Sequence, residues 1–193
     1  MRNMSNMRNQ ISTGNSVLEQ WLADEDARRA VMNNGVGPGV VTPAQTAGKN
    51  GLEAMQATLL GLAPYPSIGK TLDFMLMEVA EGRAVFQGTP GPAHLNPMGG
   101  IHGGWYAAIL DSALGCAVHS KMVVGRGYTT AELSVNLVKA IGKTSRVRAI
   151  GTVLHCGRQL ATAEAKLVGP DGTLYAHATT TCLFFEIPSQ LKV

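Results

Sequence analysis

Aromatic residues make up 5% of the 193-residue chain, cysteines number three, and no dense tract of Lys or Arg interrupts it. Few aromatics and a mild net charge of +3 argue against a nucleic-acid-binding face and suit a small anionic ligand. Cys116, Cys156 and Cys182 are odd in number and lack metal-ligand spacing. In apolar surroundings they read as free, buried thiols of a reducing compartment. No stretch has the apolar length of a membrane span, and Met1 to Gln10 is Asn, Arg and Met where a signal peptide would be apolar. A soluble, cytoplasmic protein with no membrane partner is therefore expected. Five scattered histidines offer no His-Glu-x-x-His or other metal spacing, so no metal site is expected. The Gly-rich Gly99 to Gly104 lacks the Lys-Ser/Thr pair of a phosphate loop and the full dinucleotide fingerprint.

Formal charge is also missing from the middle of the chain. Between Arg83 and Lys121 the only charged residue is Asp111, flanked by Ala107, Ala108, Ile109, Leu110, Ala113 and Leu114. A carboxylate buried among such neighbours is costly unless it has hydrogen-bond partners or a task. An isolated mid-helix Asp is otherwise a partly solvated surface residue, so the case for function rests on what surrounds it.

A hydrophobic content of 45% supports a sizeable core, and the length suits one domain with an appendage. Met1 to Asn15 is expected to be disordered. Ser16-Val17-Leu18-Glu19 forms a capping-box pattern ahead of a short helix reaching about Met32, with Val17, Trp21 and Ala30 as apolar contacts. Asn33 to Asn50, rich in Gly, Pro, Thr and Asn, reads as a linker, so residues 1–50 form an N-terminal extension and 51–193 the domain proper. A helix over Leu52 to Leu62 puts Met55, Leu59 and Leu62 on one face before Pro64-Tyr65-Pro66. Strands follow at Leu72 to Val79 and Arg83 to Gly88. A buried helix then runs from His102 to about Met122, and four more strands lie at Thr129 to Lys139, Arg146 to Leu154, Gln159 to Val168 and Thr173 to Phe185. Period-2 alternation places Ala131, Leu133, Val135 and Leu137 on one face. The order predicts an α+β fold in which an antiparallel sheet wraps around one long central helix.

The segment Asn96-Pro97-Met98-Gly99-Gly100-Ile101-His102-Gly103-Gly104, with Asp111 nine positions after His102 and then Tyr128-Thr129-Thr130-Ala131-Glu132-Leu133-Ser134-Val135-Asn136, resembles the hotdog-fold acyl-CoA thioesterases of the phenylacetate-pathway (PaaI-like) type. The similarity spans roughly Gly51 to Ile187. It implies a hotdog homodimer, or a dimer of dimers (homotetramer), with sites between subunits that hydrolyse acyl-CoA to free acid and coenzyme A. Coenzyme A would be part of the substrate, and no metal or redox cofactor is implied. By the same resemblance Asp111 is the general base or nucleophile and Gly103 donates its amide to the thioester oxygen. Asn96 holds the carbonyl or the water, His102 supports the loop, and Thr130 hydrogen-bonds the carboxylate or water, with Thr129 as the one-residue alternative.

The chemistry can be argued from the residues as well. Thioester hydrolysis needs a nucleophile aimed at the carbonyl carbon and donors aimed at the oxygen. A thiol of pKa about 8.5 leaves without strong acid help. Amides at a helix start have no acceptor within the helix and carry its positive dipole end, which suits an oxyanion. Nine residues at 1.5 Å rise separate His102 from Asp111 by about 13 Å, so one helix cannot bring both to one atom. If Asp111 acts on a thioester held at Gly103, as the resemblance implies, the carboxylate should come from the other subunit's helix, packed antiparallel across a two-fold axis.

Lys139, Lys143, Arg146, Arg148 and Arg158 cluster near strand ends and turns. Lys139, Arg146 and Arg158 are the candidates for coenzyme A phosphates. Trp105, Tyr106, Ile109 and Met98 are candidate walls of the acyl tunnel. Cys116 and His119 lie one helical turn apart but have no orienting acid, so a thiol nucleophile is disfavoured. Two rivals stand beside the thioesterase. One is a non-catalytic acyl-CoA-binding or regulatory module using the same cleft; the other is a hotdog dehydratase, which needs a His paired with an acid at a spacing this chain lacks.

Overall fold

Alanine and glycine dominate the inward positions of the long strands, and this decides how closely a helix can approach them. The computed structural model describes the backbone of residues 4–142 and 144–187, with side chains from Gly14 onward; Lys143 lies outside the described residues. Four helices come first: α1 (Met4–Asn34), α2 (Pro43–Thr46), α3 (Gly51–Leu59) and α4 (Ser67–Leu72). Strands β1 (Phe74–Ala80) and β2 (Arg83–Gly88) precede the long helix α5 (Gly103–His119). Then come β3 (Arg126–Leu137), β4 (Val147–Cys156), β5 (Leu160–Val168) and β6 (Leu174–Glu186). The strands form one six-stranded sheet in the order β1-β2-β4-β5-β6-β3, antiparallel throughout. Helix α5 packs on one face and touches every strand, which is the arrangement the sequence predicts.

Ala149, Gly151, Ala163, Ala165, Ala176 and Ala178 are buried beneath α5, leaving a shallow floor. Into it α5 sends Ile109, Leu110, Leu114 and Val118, all fully buried. Each contributes roughly 1.5–3 kcal/mol of burial. Backbone meets backbone at Gly151, where a Cβ would stand 2.3 Å from the Ala113 carbonyl oxygen.

The N-terminal region departs from its reading. Helix α1 begins at Met4, so from that residue the expected disordered start is helical and Ser16 sits inside the helix. Of the expected contacts Trp21 is buried, but Val17 and Ala30 are exposed. The buried face of α1 is Trp21, Glu25 and Arg28, spaced i, i+4, i+7, and two of the three are charged. Arg28 donates to the carbonyls of Leu59 (2.6 Å), Thr58 (3.0 Å) and Leu76 (3.0 Å). Gln87 and Arg148 are register partners on the sheet face away from α5. Gln87 donates to Glu25 at 2.8 Å, while Arg148 donates to Gln87, pairs with Asp24 at 2.8 Å and stacks on Trp21.

The Gly/Pro-rich stretch is also tied down. Val36 donates to Gly61 at 3.0 Å, and Gly37, Gly39 and Tyr65 exchange backbone hydrogen bonds. Leu62, expected on the buried face with Met55, lies beyond the end of α3 and is 67% exposed. Helix α4 was not expected; it ends at Asp73 in the left-handed region, which delays β1 by two residues relative to the predicted Leu72. No helix among the described residues is long and apolar enough to cross a membrane.

Burial opposes ionisation of Glu25, but bonds from Gln87 and Arg29 outweigh it and hold its pKa below the ordinary value. Its stabilising contribution is thus complete above the unfolded pKa of about 4.3 and is lost as pH falls through the lower folded value. Glu25→Ala should cost about 3 kcal/mol in urea unfolding at pH 7, because it leaves buried donors without their acceptor, and much less at pH 3. Gly151→Ala should cost about 1–3 kcal/mol by forcing α5 off β4, read as a lowered melting temperature.

Candidate active site

Helix α5 has two faces because only one can meet the sheet. Trp105, Tyr106, Ile109 and Leu110 turn inward, while Ala107, Ala108, Asp111 and Ser112 form a half-buried stripe on the other side. Asp111 is therefore less desolvated in the single chain than its apolar neighbours suggested.

The helix start is built by a short hairpin, Leu95 bridging to Ile101. Asn96 closes it: its Oδ1 accepts from the Met98 and Gly100 amides at 3.0 and 3.1 Å, and its backbone N–H donates to the Gly100 carbonyl at 2.8 Å. With Oδ1 occupied, the Asn96 side chain has its Nδ2 donors left to offer. His102 is the N-cap, and its Nδ1 accepts from Gly104 at 2.9 Å, which places the ring proton on Nε2. Gly103 opens the helix, and its amide has no acceptor within it.

Thr130 and Asp111 meet directly, the hydroxyl donating to Oδ1 at 3.1 Å. Asp111 Oδ2 has no partner among the described residues. A β-bulge makes the contact possible. Thr130 pairs with Cys182 and Glu132 with Thr181, so Ala131 is an extra residue in β3. Before it Tyr128 and Thr130 face α5; after it Leu133 and Val135 do, opposite Thr180 and Ala178. Simple alternation had put Ala131 on the face of Leu133, and the structure corrects this. The bulge also turns Thr129 to the other face, so Thr130 is the threonine beside the carboxylate.

Around Asp111 the other titratable groups are electrically quiet. Burial pushes the Cys116 thiol up to about 12, and the Asp111 charge adds to the shift, so Cys116 is no thiolate nucleophile. Burial lowers the pKa of His119, whose Nδ1 is buried without a partner.

Some expected residues are elsewhere. Arg146 is committed to Glu25 at 3.2 Å. Lys139 and Arg158 are exposed but lie beyond opposite ends of β3, whose length of 12 residues is about 40 Å. Lys139 is at the end near the helix start, where Leu137 approaches Gly103; Arg158 is at the far end, its carbonyl accepting from Arg126. Trp105, Tyr106 and Ile109 belong to the core, with Trp105 donating to the Leu72 carbonyl (2.7 Å) and the Tyr106 hydroxyl accepting from the Ile141 amide (2.8 Å). Met98 is 96% exposed. None of these four lines the cavity beside Asp111.

That cavity, of about 310 Å³, went unforeseen. Asp111, Ser112, Cys116 and His119 supply its α5 side, and much of the rest comes from residues 28–66. The clue available in the sequence was the Trp21, Glu25, Arg28 spacing, which marks α1 as docked.

Residues 98–176 match the family model described as the thioesterase superfamily. No curated protein sequence matches the chain. Among solved structures it is similar to a thioesterase family protein from Silicibacter pomeroyi, at 27% identity over 62% of this chain and 89% of that one, with a TM-score of 0.57. It is similar to a variant of the phenylacetic acid degradation protein PaaI from Thermus thermophilus, at 26% identity over 61% and 97% of the two chains, with a TM-score of 0.56. In fold it also matches the E. coli PaaI protein from the phenylacetic acid degradation operon, at 20% identity over 62% and 84%, with a TM-score of 0.58. Strand order, helix-start motif and these likenesses agree: residues 98–176 match the thioesterase superfamily, and the chain has the hotdog fold of the PaaI-like proteins to which it is similar.

Proposed function

We propose that the protein hydrolyses acyl-CoA thioesters to the free acid and coenzyme A, with each site shared between two subunits. The observation that carries this reading is Asp111: one oxygen is held by Thr130, the other has no partner among the described residues, and the residue borders a cavity. A carboxylate so placed has an oriented free lone pair, as a base or a nucleophile requires.

In the proposed reaction the thioester oxygen lies at the Gly103 amide of the partner subunit. Asn96 Nδ2 is a second donor to it, and His102 fixes the helix start that carries both. Asp111 Oδ2 takes a proton from a water as its oxygen attacks the carbonyl carbon; the C–S bond breaks and coenzyme A leaves as thiolate. In the covalent variant Asp111 attacks first, and water opens the resulting anhydride. The helix-start donor is worth about 3–4 kcal/mol in the transition state. Lys139, beside the helix start, is the cation placed for the phosphates; Arg158 could serve only a ligand portion at the other end of β3, and Arg146 only after leaving Glu25. The reaction needs no metal or redox cofactor. Free cysteines suit a reducing, cytoplasmic setting.

Thiol release from a panel of acyl-CoAs tests the proposal. Asp111→Asn should lower kcat by about 10²–10⁴-fold. Thr130→Val should lower it about 10-fold to 100-fold, the loss of one hydrogen bond to a charged group, while Thr129→Val should leave it unchanged. Turnover in ¹⁸O water under single-turnover conditions detects the covalent route where water opens the anhydride at Asp111 Cγ, since only that attack labels the Asp111 carboxylate. Full activity in Asp111→Asn would remove the assigned role, and acyl-CoA binding without turnover in the wild type would indicate the non-catalytic module.

A further inference from the structure

Residues 28–66 lie outside the segment that matches the superfamily model, yet they build much of the cavity that Asp111 borders. Met32 comes from α1, Thr46 from α2, and Ala54, Met55 and Thr58 from α3, with Tyr65 following. Phe74, Phe86 and Tyr128 oppose them from the sheet. The walls are predominantly apolar, and the position is held firmly. Arg28 ties α1 to the end of α3 and to β1 through three carbonyls, and Gly35 lies so close to Gly61 that a Cβ would be 2.7 Å from its oxygen. The N-terminal helices are thus a fixed wall.

We infer that this cavity receives the acyl group of the substrate and that the N-terminal helices, through Met32, Ala54 and Met55, set which acyl groups fit. The inference rests on the thioesterase reading above and adds the substrate class to it. A volume of about 310 Å³, at roughly 30 Å³ for each water-sized group, admits about ten non-hydrogen atoms. The walls select an apolar group: a medium-length chain or a single ring. The α5 side from Asp111 to His119 spans eight residues, about 12 Å, so the group lies along the helix with its carbonyl at the Asp111 end. Coenzyme A then extends away from this cavity toward the partner's helix start, and the two subunits divide the substrate between them.

Binding of non-hydrolysable S-ethyl and S-octyl coenzyme A thioethers to the full chain, measured by titration calorimetry, tests the assignment. The wild type should bind the octyl compound more tightly by about a thousandfold or more, since six further methylenes are buried. Met32→Trp and Ala54→Phe, which fill the cavity from different helices, should each weaken octyl binding by about tenfold or more and leave ethyl binding unchanged, whereas Met32→Leu should preserve the preference. Melting temperatures identify any variant that fails to fold, in which case the other carries the comparison. Equal binding of the two thioethers by the wild type, or equal weakening of both in the variants, would overturn the assignment. Octanoyl-CoA that binds with the expected preference but is not hydrolysed would remove the thioesterase reading and leave the acyl cavity standing.

Discussion

The contact between the backbones of α5 and β4 at Gly151 sets the room available to every other group. With a Cβ position only 2.3 Å from the Ala113 oxygen, the helix lies as low on the sheet as its backbone permits. The alanine floor then suffices, because larger side chains project down from the helix and fill the remaining space. One consequence reaches the site. A helix seated this deeply loses one face entirely to the sheet, so an ionised residue can stand only on the opposite stripe, and Asp111 stands there.

Seating the helix does not by itself orient the carboxylate. That falls to one extra residue in β3. Without the bulge at Ala131, a strand that presents Leu133 and Val135 inward would present Thr129 and Ala131 inward too, and Asp111 would face a position one residue out of register. With it, apolar packing toward the Gly103 end and a hydroxyl at the middle of α5 coexist on one strand. Gly115 completes the fit, since any Cβ there would lie 2.6 Å from the Tyr128 hydroxyl, two residues before Thr130. The threonine is thus placed by packing on either side of it.

Elements whose buried face is apolar were legible in the sequence, and those held by polar contacts were not. Strands β2, β4, β5 and β6 and helix α5 lie within one or two residues of expectation, apart from a tail assigned to α5 past His119, because alternation or length alone marks them. Helix α1 was misread because its buried face is Trp21, Glu25 and Arg28, and a hydrophobic pattern cannot register a face made of charges that meet partners from distant strands. The same limit explains Arg146 and Arg148. Both cluster near strand ends in the sequence, and Arg146 resembled a phosphate ligand; in the fold Glu25 claims Arg146 and Asp24 claims Arg148. In the motif, Asn96, His102 and Gly103 were legible as a group because they are contiguous, and the Asp111 to Thr130 contact was legible to within one residue. The cavity wall was not, since it joins segments that share no local pattern.

A division of labour follows from these placements taken together. Within one chain, Asp111 is about 13 Å from its own helix start, and Leu137, not Asp111, lies against Gly103. The group that would attack and the amide that would receive the oxyanion cannot serve one carbonyl inside a single subunit. Thr130, Asp111 and the apolar cavity, by contrast, do belong to one subunit. In the proposed reaction one subunit therefore grips the acyl group and supplies the base, while the other supplies the oxyanion donors and meets coenzyme A. In the same proposal an N-terminal segment that shapes the cavity would change acyl preference on the subunit that supplies the base, so substrate choice could vary while the hydrolytic machinery stays the same.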